Sequence, residues 1–236
     1  MWDIWETVFH DAQANLALYS QTVFLVGIGL DVSRADVGLR VQGNVIYLGT
    51  SDALQFGQFQ APVETFLRLQ CDRYQDVDVT VKLEIVGTHN GDPSHWFGIA
   101  PRALRPNHWD AYLFYIRRNG NVDFGIRGDL EVKPLLAPEV TSQPVALRIK
   151  VENDRVQTWV NGRPSHDWLD RDKEFVRKGD IYLIAYAAEV KIHEIEIKAK
   201  KWYAPLIRFA RRFWKAFVIV GIVLGFIAAI IQILGR

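Results

Sequence analysis

Leu147-Arg-Ile-Lys-Val-Glu-Asn-Asp-Arg-Val-Gln-Thr-Trp-Val-Asn-Gly162 carries the clearest structural signal in the chain. Apolar residues stand at Leu147, Ile149 and Val151 with Arg148 and Lys150 between them, Glu152-Asn-Asp-Arg155 turns the chain, and alternation resumes toward Val160. A strand sends successive side chains to opposite faces, so this is an outward-and-back strand pair. Its ends are marked by Asn-Asp and Asn-Gly, residues that tolerate the left-handed backbone of tight hairpins.

The same period of two runs outward from it. Candidate strands cover 23–30, 37–41, 44–48, 53–59, 63–70, 77–86, 95–100, 111–118, 121–127, 145–152, 155–161, 180–187 and 189–198, rich in Val, Ile, Phe and Tyr. Turn signals separate them at Gln42-Gly-Asn44, Gly91-Asp-Pro93 and Asn119-Gly-Asn121. Around a dozen strands with no helical spacer describe a mainly β protein, an antiparallel β-sandwich of jelly-roll type, occupying 1–200 as one domain. Irregular pieces remain at 87–94, 101–109, 128–144 and 163–178. No repeat or low-complexity tract interrupts the chain.

Two helices are expected at the ends. Trp2, Trp5, Val8, Phe9, Ala12 and Leu16 recur at three- and four-residue steps, which predicts a short N-terminal helix over 1–16 capping the sandwich. A helix lying on a membrane is the other reading, and Asp3, Glu6 and Asp11 count against an anionic surface. From Ala216 to Leu234 the chain has no charge and one strongly polar residue, Gln232, which predicts a transmembrane helix over 216–234. The segment 201–215 before it reads as a basic amphipathic juxtamembrane piece, with Arg208, Arg211, Arg212 and Lys215 on one helical face and Trp202, Tyr203 and Trp214 suited to the membrane interface. Gly221, Gly225 and Ala229 put small residues four apart on the span, with Gln232 a turn further, so this face predicts a homo-oligomer.

Charge is divided along the chain. The last 36 residues carry six Lys and Arg and no acid, which leaves 22 basic and 27 acidic residues in the remainder. An acidic body argues against nucleic acid as a partner. The N-terminus has no Lys or Arg before Arg34, so no export signal is read there, and the single cysteine, Cys71, tilts toward a reducing compartment. With five basic residues between 201 and 215 and one beyond the span, the expectation is a single-pass inner-membrane protein with its N-terminal domain cytoplasmic.

From Val77 to Lys198 the chain resembles the concanavalin A-like lectin and glucanase superfamily, in particular its laminin-G-like and 3-keto-glycoside-hydrolase-like branch. The residues that carry the resemblance are Asp78-Val-Thr-Val-Lys-Leu-Glu-Ile85, Trp96-Phe-Gly-Ile-Ala100, Tyr112-Leu-Phe-Tyr-Ile-Arg117 with Gly120-Asn-Val-Asp-Phe-Gly125, the hairpin quoted above, and Gly179-Asp-Ile-Tyr-Leu-Ile-Ala185. The superfamily holds lectins, hydrolases, adhesion modules and recognition domains, so the resemblance speaks for fold more than for function.

Glucanases of that superfamily set carboxylates on alternate residues of one strand to flank a glycosidic bond. The Glu-x-Asp-x-x-Glu pattern is missing here, Asp76 with Asp78 and Glu194 with Glu196 lack a third member, and the expectation is that the chain is not an enzyme. For calcium, Asn90 with Asp92 and Asp167 with Asp170 and Asp172 offer hard oxygens, yet the interspersed Arg171 and Lys173 favour a salt-bridged loop. No zinc spacing appears, and no cofactor or metal is expected. Ligand binding is expected from aromatic and polar residues in or beside the long loops: Trp96, Trp109 and Trp168 with Arg105, His108 and Asp167. Each Trp has a structural alternative, plugging an end of the sandwich. The expected function is a membrane-anchored cytoplasmic binding or sensor module that self-associates through its span, with a glycan, a nucleotide-like molecule or a protein as ligand. A membrane-perturbing effector and a membrane-associated carbohydrate-active enzyme are the alternatives.

Overall fold

The computed structural model describes residues 5–13, 15–25, 38–56, 58–107, 111–126, 129–133, 143–173 and 175–200. They form seventeen strands: β1 (Trp5–Asp11), β2 (Tyr19–Leu25), β3 (Leu39–Gln42), β4 (Val45–Gly49), β5 (Leu54–Phe56), β6 (Phe59–Ala61), β7 (Val63–Leu69), β8 (Val77–Thr88), β9 (Trp96–Ala103), β10 (Leu113–Arg117), β11 (Val122–Ile126), β12 (Asp129–Lys133), β13 (Val145–Glu152), β14 (Arg155–Val160), β15 (Arg163–Leu169), β16 (Asp180–Tyr186) and β17 (Ala188–Lys200). One sheet, A, has the order β15-β14-β13-β8-β17-β4-β3, with β1 also paired to β17. The other, B, runs β12-β11-β10-β9-β16-β7-β2, and β5 pairs with β6 as a separate ribbon. Residues Glu6–Ala199 belong to one compact unit.

The core lies between the sheets and follows from alternation. On β8, Val77, Val79, Val81, Leu83 and Ile85 all face inward at 1% exposure or less, and they meet Leu67, Phe97, Ile99, Phe114, Ile116 and Leu183 from sheet B in one cluster. The hairpin of β13 and β14 pairs as its sequence requires, Leu147 opposite Val160 and Val151 opposite Val156. On β17 a register shift between Ile192 and Glu194 moves the inward set from Val190 and Ile192 to Ile195, Ile197 and Ala199. A bulge of this kind re-aims every residue beyond it.

The expected helix over 1–16 is not formed: β1 occupies its place. β17 is thirteen residues long, and β4 covers only Glu189 to Ile192 of its edge. Pairing satisfies the remaining open edge, and β1 supplies it. Phe9 then enters the core at 6% exposure, edge-on to Tyr19 with ring centroids 6.0 Å apart. The described helical residues are two single 3-10 turns, Leu16–Leu18 and His89–Gly91.

Two strands, β12 and β15, lie within pieces expected to be irregular, and the expected strand 53–59 is a hairpin of β5 and β6. β15 was obscured by Pro164 and Asp167, residues poor in strand propensity. It forms because it is the edge of sheet A, where a proline costs no ladder bond, and a register shift in β14 between Gln157 and Trp159 accommodates it. The expected span 216–234 and the juxtamembrane segment 201–215 lie outside the described residues. Among the described residues no helix is long and apolar enough to cross a membrane.

Candidate functional site

The two outward faces of the sandwich differ in chemistry. That of sheet A is laced with ion pairs: Arg148 holds Asp78 through two hydrogen bonds of 2.8 and 2.6 Å, Lys82 and His10 share Glu194, Lys198 reaches Glu196 at 3.2 Å, Arg155 grips Asp167, and Arg40 meets Glu189. The guanidiniums of Arg40 and Arg148 also lie over Tyr47 and Trp159, at 4.4 and 4.5 Å from the ring centroids. Such a face keeps its charges paired in water.

The outer face of sheet B is apolar and aromatic. Strand register sets its rows. One row carries Phe24, Glu64, Tyr186, Trp96 and Arg117 on β2, β7, β16, β9 and β10. The next carries Thr22, Phe66, Ile184, Gly98, Tyr115 and Asp123. A third begins with Ser20, Arg68, Tyr182 and Ala100. Phe66, Leu113, Tyr115, Tyr182 and Ile184 form a buried cluster separate from the core, with the half-buried Phe24 and Trp96 packed against it.

Trp96 is positioned by its neighbours. Its indole stacks on Tyr186 at 5.3 Å and 2° and lies tilted against Tyr115 at 4.7 Å. It can lie down on the sheet because residue 98 is glycine: a Cβ there would stand 3.0 to 3.1 Å from Leu113, Tyr115 and the indole itself. Arg117 extends the strip, its Nε donating to Asp123 Oδ2 at 2.7 Å, its guanidinium 5.7 Å from the Tyr115 ring. Burial, then the charge of Asp123, pushes the Tyr115 hydroxyl up to about 12. Asp123 is fully buried, and its Oδ1 has no hydrogen-bond partner.

A cleft of about 350 Å³ opens on this face between Phe24, Glu64 and Phe66 on the strands and Arg105, Pro106 and Asn107 on the loop after β9. That is the size of a small-ligand site. Phe24 and Phe66 meet edge to face at 5.9 Å on its floor, and Tyr182 meets Phe66 at 6.3 Å. Beyond Phe66, Asp180 accepts from Arg68 Nη2 at 3.1 Å and from Arg73 Nε and Nη2 at 3.0 and 2.8 Å.

Of the six residues expected to bind ligand, Trp96 and Arg105 lie on this face of sheet B. His108 and Trp109 lie outside the described residues. Trp168 packs against Tyr112 and Phe124 at 6.3 and 5.9 Å, on the core side of β15, and Asp167 is exposed on the opposite side of that strand in its pair with Arg155. The expected membrane-interface residues Trp202, Tyr203, Arg208, Arg211, Arg212, Trp214 and Lys215, and the oligomerisation residues Gly221, Gly225, Ala229 and Gln232, lie outside the described residues. Of the calcium candidates, Asp92 accepts from the Ser94 N–H, and hydrogen bonding to Ser94 holds its carboxyl below the usual range. Asp170 accepts from the Tyr112 hydroxyl at 2.7 Å and from the Phe175 N–H. Among the described residues no three His, Cys, Asp or Glu are grouped to hold a metal.

The rest of the aromatic face was missed: Phe24, Phe66, Tyr115, Tyr182 and Tyr186 with Glu64. A signal existed. Ala111-Tyr-Leu-Phe-Tyr-Ile116 and Ile181-Tyr-Leu-Ile-Ala-Tyr186 are unbroken apolar runs, and a strand apolar on both sides is covered on both sides.

The carboxylates on this face stand apart. Glu64 on β7 and Asp123 on β11 are four strand spacings from each other, about 19 Å, and Asp180 lies six residues of register from the level of Glu64, about 20 Å along the strands. A glycosidase pair stands roughly 5 to 10 Å apart. No two of the three meet that distance.

No family model and no curated protein matches the chain. Solved structures do. The laminarinase from Rhodothermus marinus matches with a TM-score of 0.62 at 11% identity, over 84% of this chain and 98% of that one. The endo-β-1,3-glucanase from Pyrococcus furiosus gives 0.61 at 11% identity, over 84% and 95%. The Bacillus licheniformis β-glucanase gives 0.57 at 9%, over 82% and 98%. The expectation that the chain is not an enzyme does not stand against these neighbours, because it rested on a motif and the fold is one that glucanases use. At such identities the likeness speaks for fold, and the fold of this chain is the concanavalin-like antiparallel β-sandwich.

Proposed function

We propose that the chain is a carbohydrate-recognising sandwich that takes a glycan at the cleft beside sheet B. The observation that carries this is the row of half-buried Phe24, Tyr186 and Trp96 beside a cleft bordered by Glu64, Arg105 and Asn107. Sugar rings present flat C–H faces that pack on aromatic rings, and a few polar groups then fix orientation through hydroxyls. The structural neighbours are named as acting on β-1,3- and β-1,3-1,4-glucans, so laminarin and mixed-linkage glucan are the polymers to try. The full chain should be retarded in gels containing one of them. Trp96→Ala should weaken this by roughly tenfold, the scale of one lost stacking platform. Gly98→Ala, which displaces the indole, should act in the same direction. Unchanged mobility in every glucan would sink the reading.

Hydrolysis is the second reading, favoured by the same neighbours. Glu64 is the carboxylate in the cleft, and a two-carboxylate mechanism would draw its partner from outside the described residues, where the sequence offers Asp110 three residues after Asn107. Release of reducing ends from laminarin, lost in both Glu64→Gln and Asp110→Asn, is the expected result. Turnover that survives both substitutions removes the assignment. The uncharged run 216–234 is proposed as the anchor that holds this sandwich at a membrane, with self-association through Gly221 and Gly225.

A further inference from the structure

His95 precedes β9 and touches the aromatic row of sheet B. Its ring centroid lies 5.9 Å from that of Tyr186, which stacks on Trp96, and 6.3 Å from that of His89. The two histidines are held differently. His89 Nδ1–H donates to the Ser51 carbonyl at 3.3 Å and Nε2 then accepts from the Asn90 amide at 3.0 Å, an assignment that uses both nitrogens of a neutral ring. His95 Nδ1 is buried with no hydrogen-bond partner, and Nε2 stands 3.7 Å from Asp92 Oδ2, beyond hydrogen-bond distance.

Protonation is therefore costly where His95 sits. A neutral imidazole keeps its one proton on Nε2, toward Asp92, and leaves a lone pair unmatched at Nδ1; an imidazolium puts an N–H there as well, a buried donor without an acceptor. The surrounding charges decide where the cation goes. Asp92, 45% exposed on the same loop, attracts it, and His89 repels it when charged. From β10 and the turn after it come Arg117, paired with Asp123, and Arg118, whose Nη1 donates to Thr88. Tyr186 on β16 and Glu64 beside it on β7 complete the surroundings. Burial holds the His95 pKa below its ordinary 6.5, with Asp92 opposing and His89 adding to the depression. A ring moved into solvent titrates near 6.5, so the packed form is fully favoured above that pH and loses ground as pH falls below it.

We infer that His95 is a pH-sensitive support of the aromatic row: protonation draws its imidazolium off Tyr186 toward Asp92 and loosens the Tyr186–Trp96 stack, so this part of the face is formed at neutral pH and opens in acid. The movement is confined to side chains, because the backbone around His95 is tied down. The His89 N–H donates to the Ala187 carbonyl at 2.9 Å and the Arg118 N–H to the His95 carbonyl at 3.0 Å. The switch is a property of the free chain, and only its effect on a ligand rests on the glycan reading above.

The test is fluorine NMR of the full chain in detergent micelles, labelled with fluorotryptophan, the Trp96 signal being the one that disappears in Trp96→Phe. Its solvent-isotope shift, which reports exposure, should rise in one step as pH is lowered from about 7.5 to about 5, with the midpoint below 6.5. His95→Gln should lack the step. Asp92→Asn should move it to lower pH by removing the attraction, and His89→Gln to higher pH by removing the repulsion. Retardation in laminarin gels should weaken over the same range toward the level of Trp96→Ala, about tenfold, and should not depend on pH in His95→Gln. The absence of a step overturns the inference, as does a step that persists in His95→Gln, one that moves the same way in Asp92→Asn and His89→Gln, or loss of the β-sheet circular dichroism over this range. Absence of glycan binding at every pH removes the glycan reading alone, and the fluorine signal then decides the switch.

Discussion

Arg102 is fully buried and holds a left-handed backbone at φ 63, two costs at one residue. Both are offset by what its guanidinium does. Nη1 donates to the carbonyls of Asn153 and Phe175 at 2.7 and 3.2 Å, Nε donates to that of Gln75, and Tyr112 and Asp76 complete the shell. Three separate loops are thereby tied to one cation. Burial pulls the Arg102 pKa down, and Tyr112 and Asp76 oppose it. Arg102→Met leaves these acceptors without a partner and should cost about 3 to 5 kcal/mol in chemical denaturation. A loss below about 1 kcal/mol would mean that water replaces the guanidinium. Tyrosines and Cys71 set the alkaline limit. Burial pushes Cys71 up to about 11 and Tyr115 to about 12, and raises Tyr19 and Tyr112 as well. Their folded pKa values lie above the unfolded ones, 9.0 for cysteine and 10.0 for tyrosine, so their contribution is complete below the unfolded values and lost as pH rises toward the folded ones. The urea midpoint should be flat with respect to these groups from about pH 7 to 9 and fall from pH 9 to 12; a midpoint constant through that upper range contradicts the burial of these hydroxyls.

At the scale of elements, the informative case is β1. The spacing of Trp2, Trp5, Val8, Phe9 and Ala12 fits a helix as well as a half-buried strand, and an isolated segment of that length has no means of choosing. The choice belongs to β17, whose edge beyond Ile192 offers unpaired backbone groups. Phe9→Ala should cost about 3 to 5 kcal/mol, as for a buried aromatic, and amide exchange should slow in 5–11 with strand-like alternation. Uniform fast exchange there would refute the pairing. β15 teaches the same point from the other side: its proline and aspartate read as loop, and only its place at the sheet edge makes it a strand. By contrast β8, β13, β14 and β17 were legible, because each buries one face and the alternation records it. The candidate site was legible only in part. Trp96 and Arg105 were reached from the sequence, whereas the aromatic residues around them lie on strands and had the look of core.

At the scale of the whole molecule, the asymmetry of the two outer faces carries the functional reading: paired charges on sheet A, aromatic rings and a cleft on sheet B. The proposed anchor belongs to this scale also. The full chain should sediment with membranes and be released by detergent but not by alkaline carbonate, and a chain ending at residue 200 should not sediment; release by carbonate would remove the span from the account. The period of two, hence the antiparallel sandwich and the inward residues of its regular strands, can be read from the amino acids without coordinates, because alternation is local and each residue's face follows from its neighbours'. The sequence also contains the uncharged run 216–234 in plain view. Tertiary structure alone decided that the N-terminal segment is a strand, that the second face of sheet B is aromatic, and that Arg68 and Arg73 converge on Asp180 from β7 and the loop after it. Those outcomes depend on which strands pair and in which register, and a one-residue change of register would send every side chain to the other face.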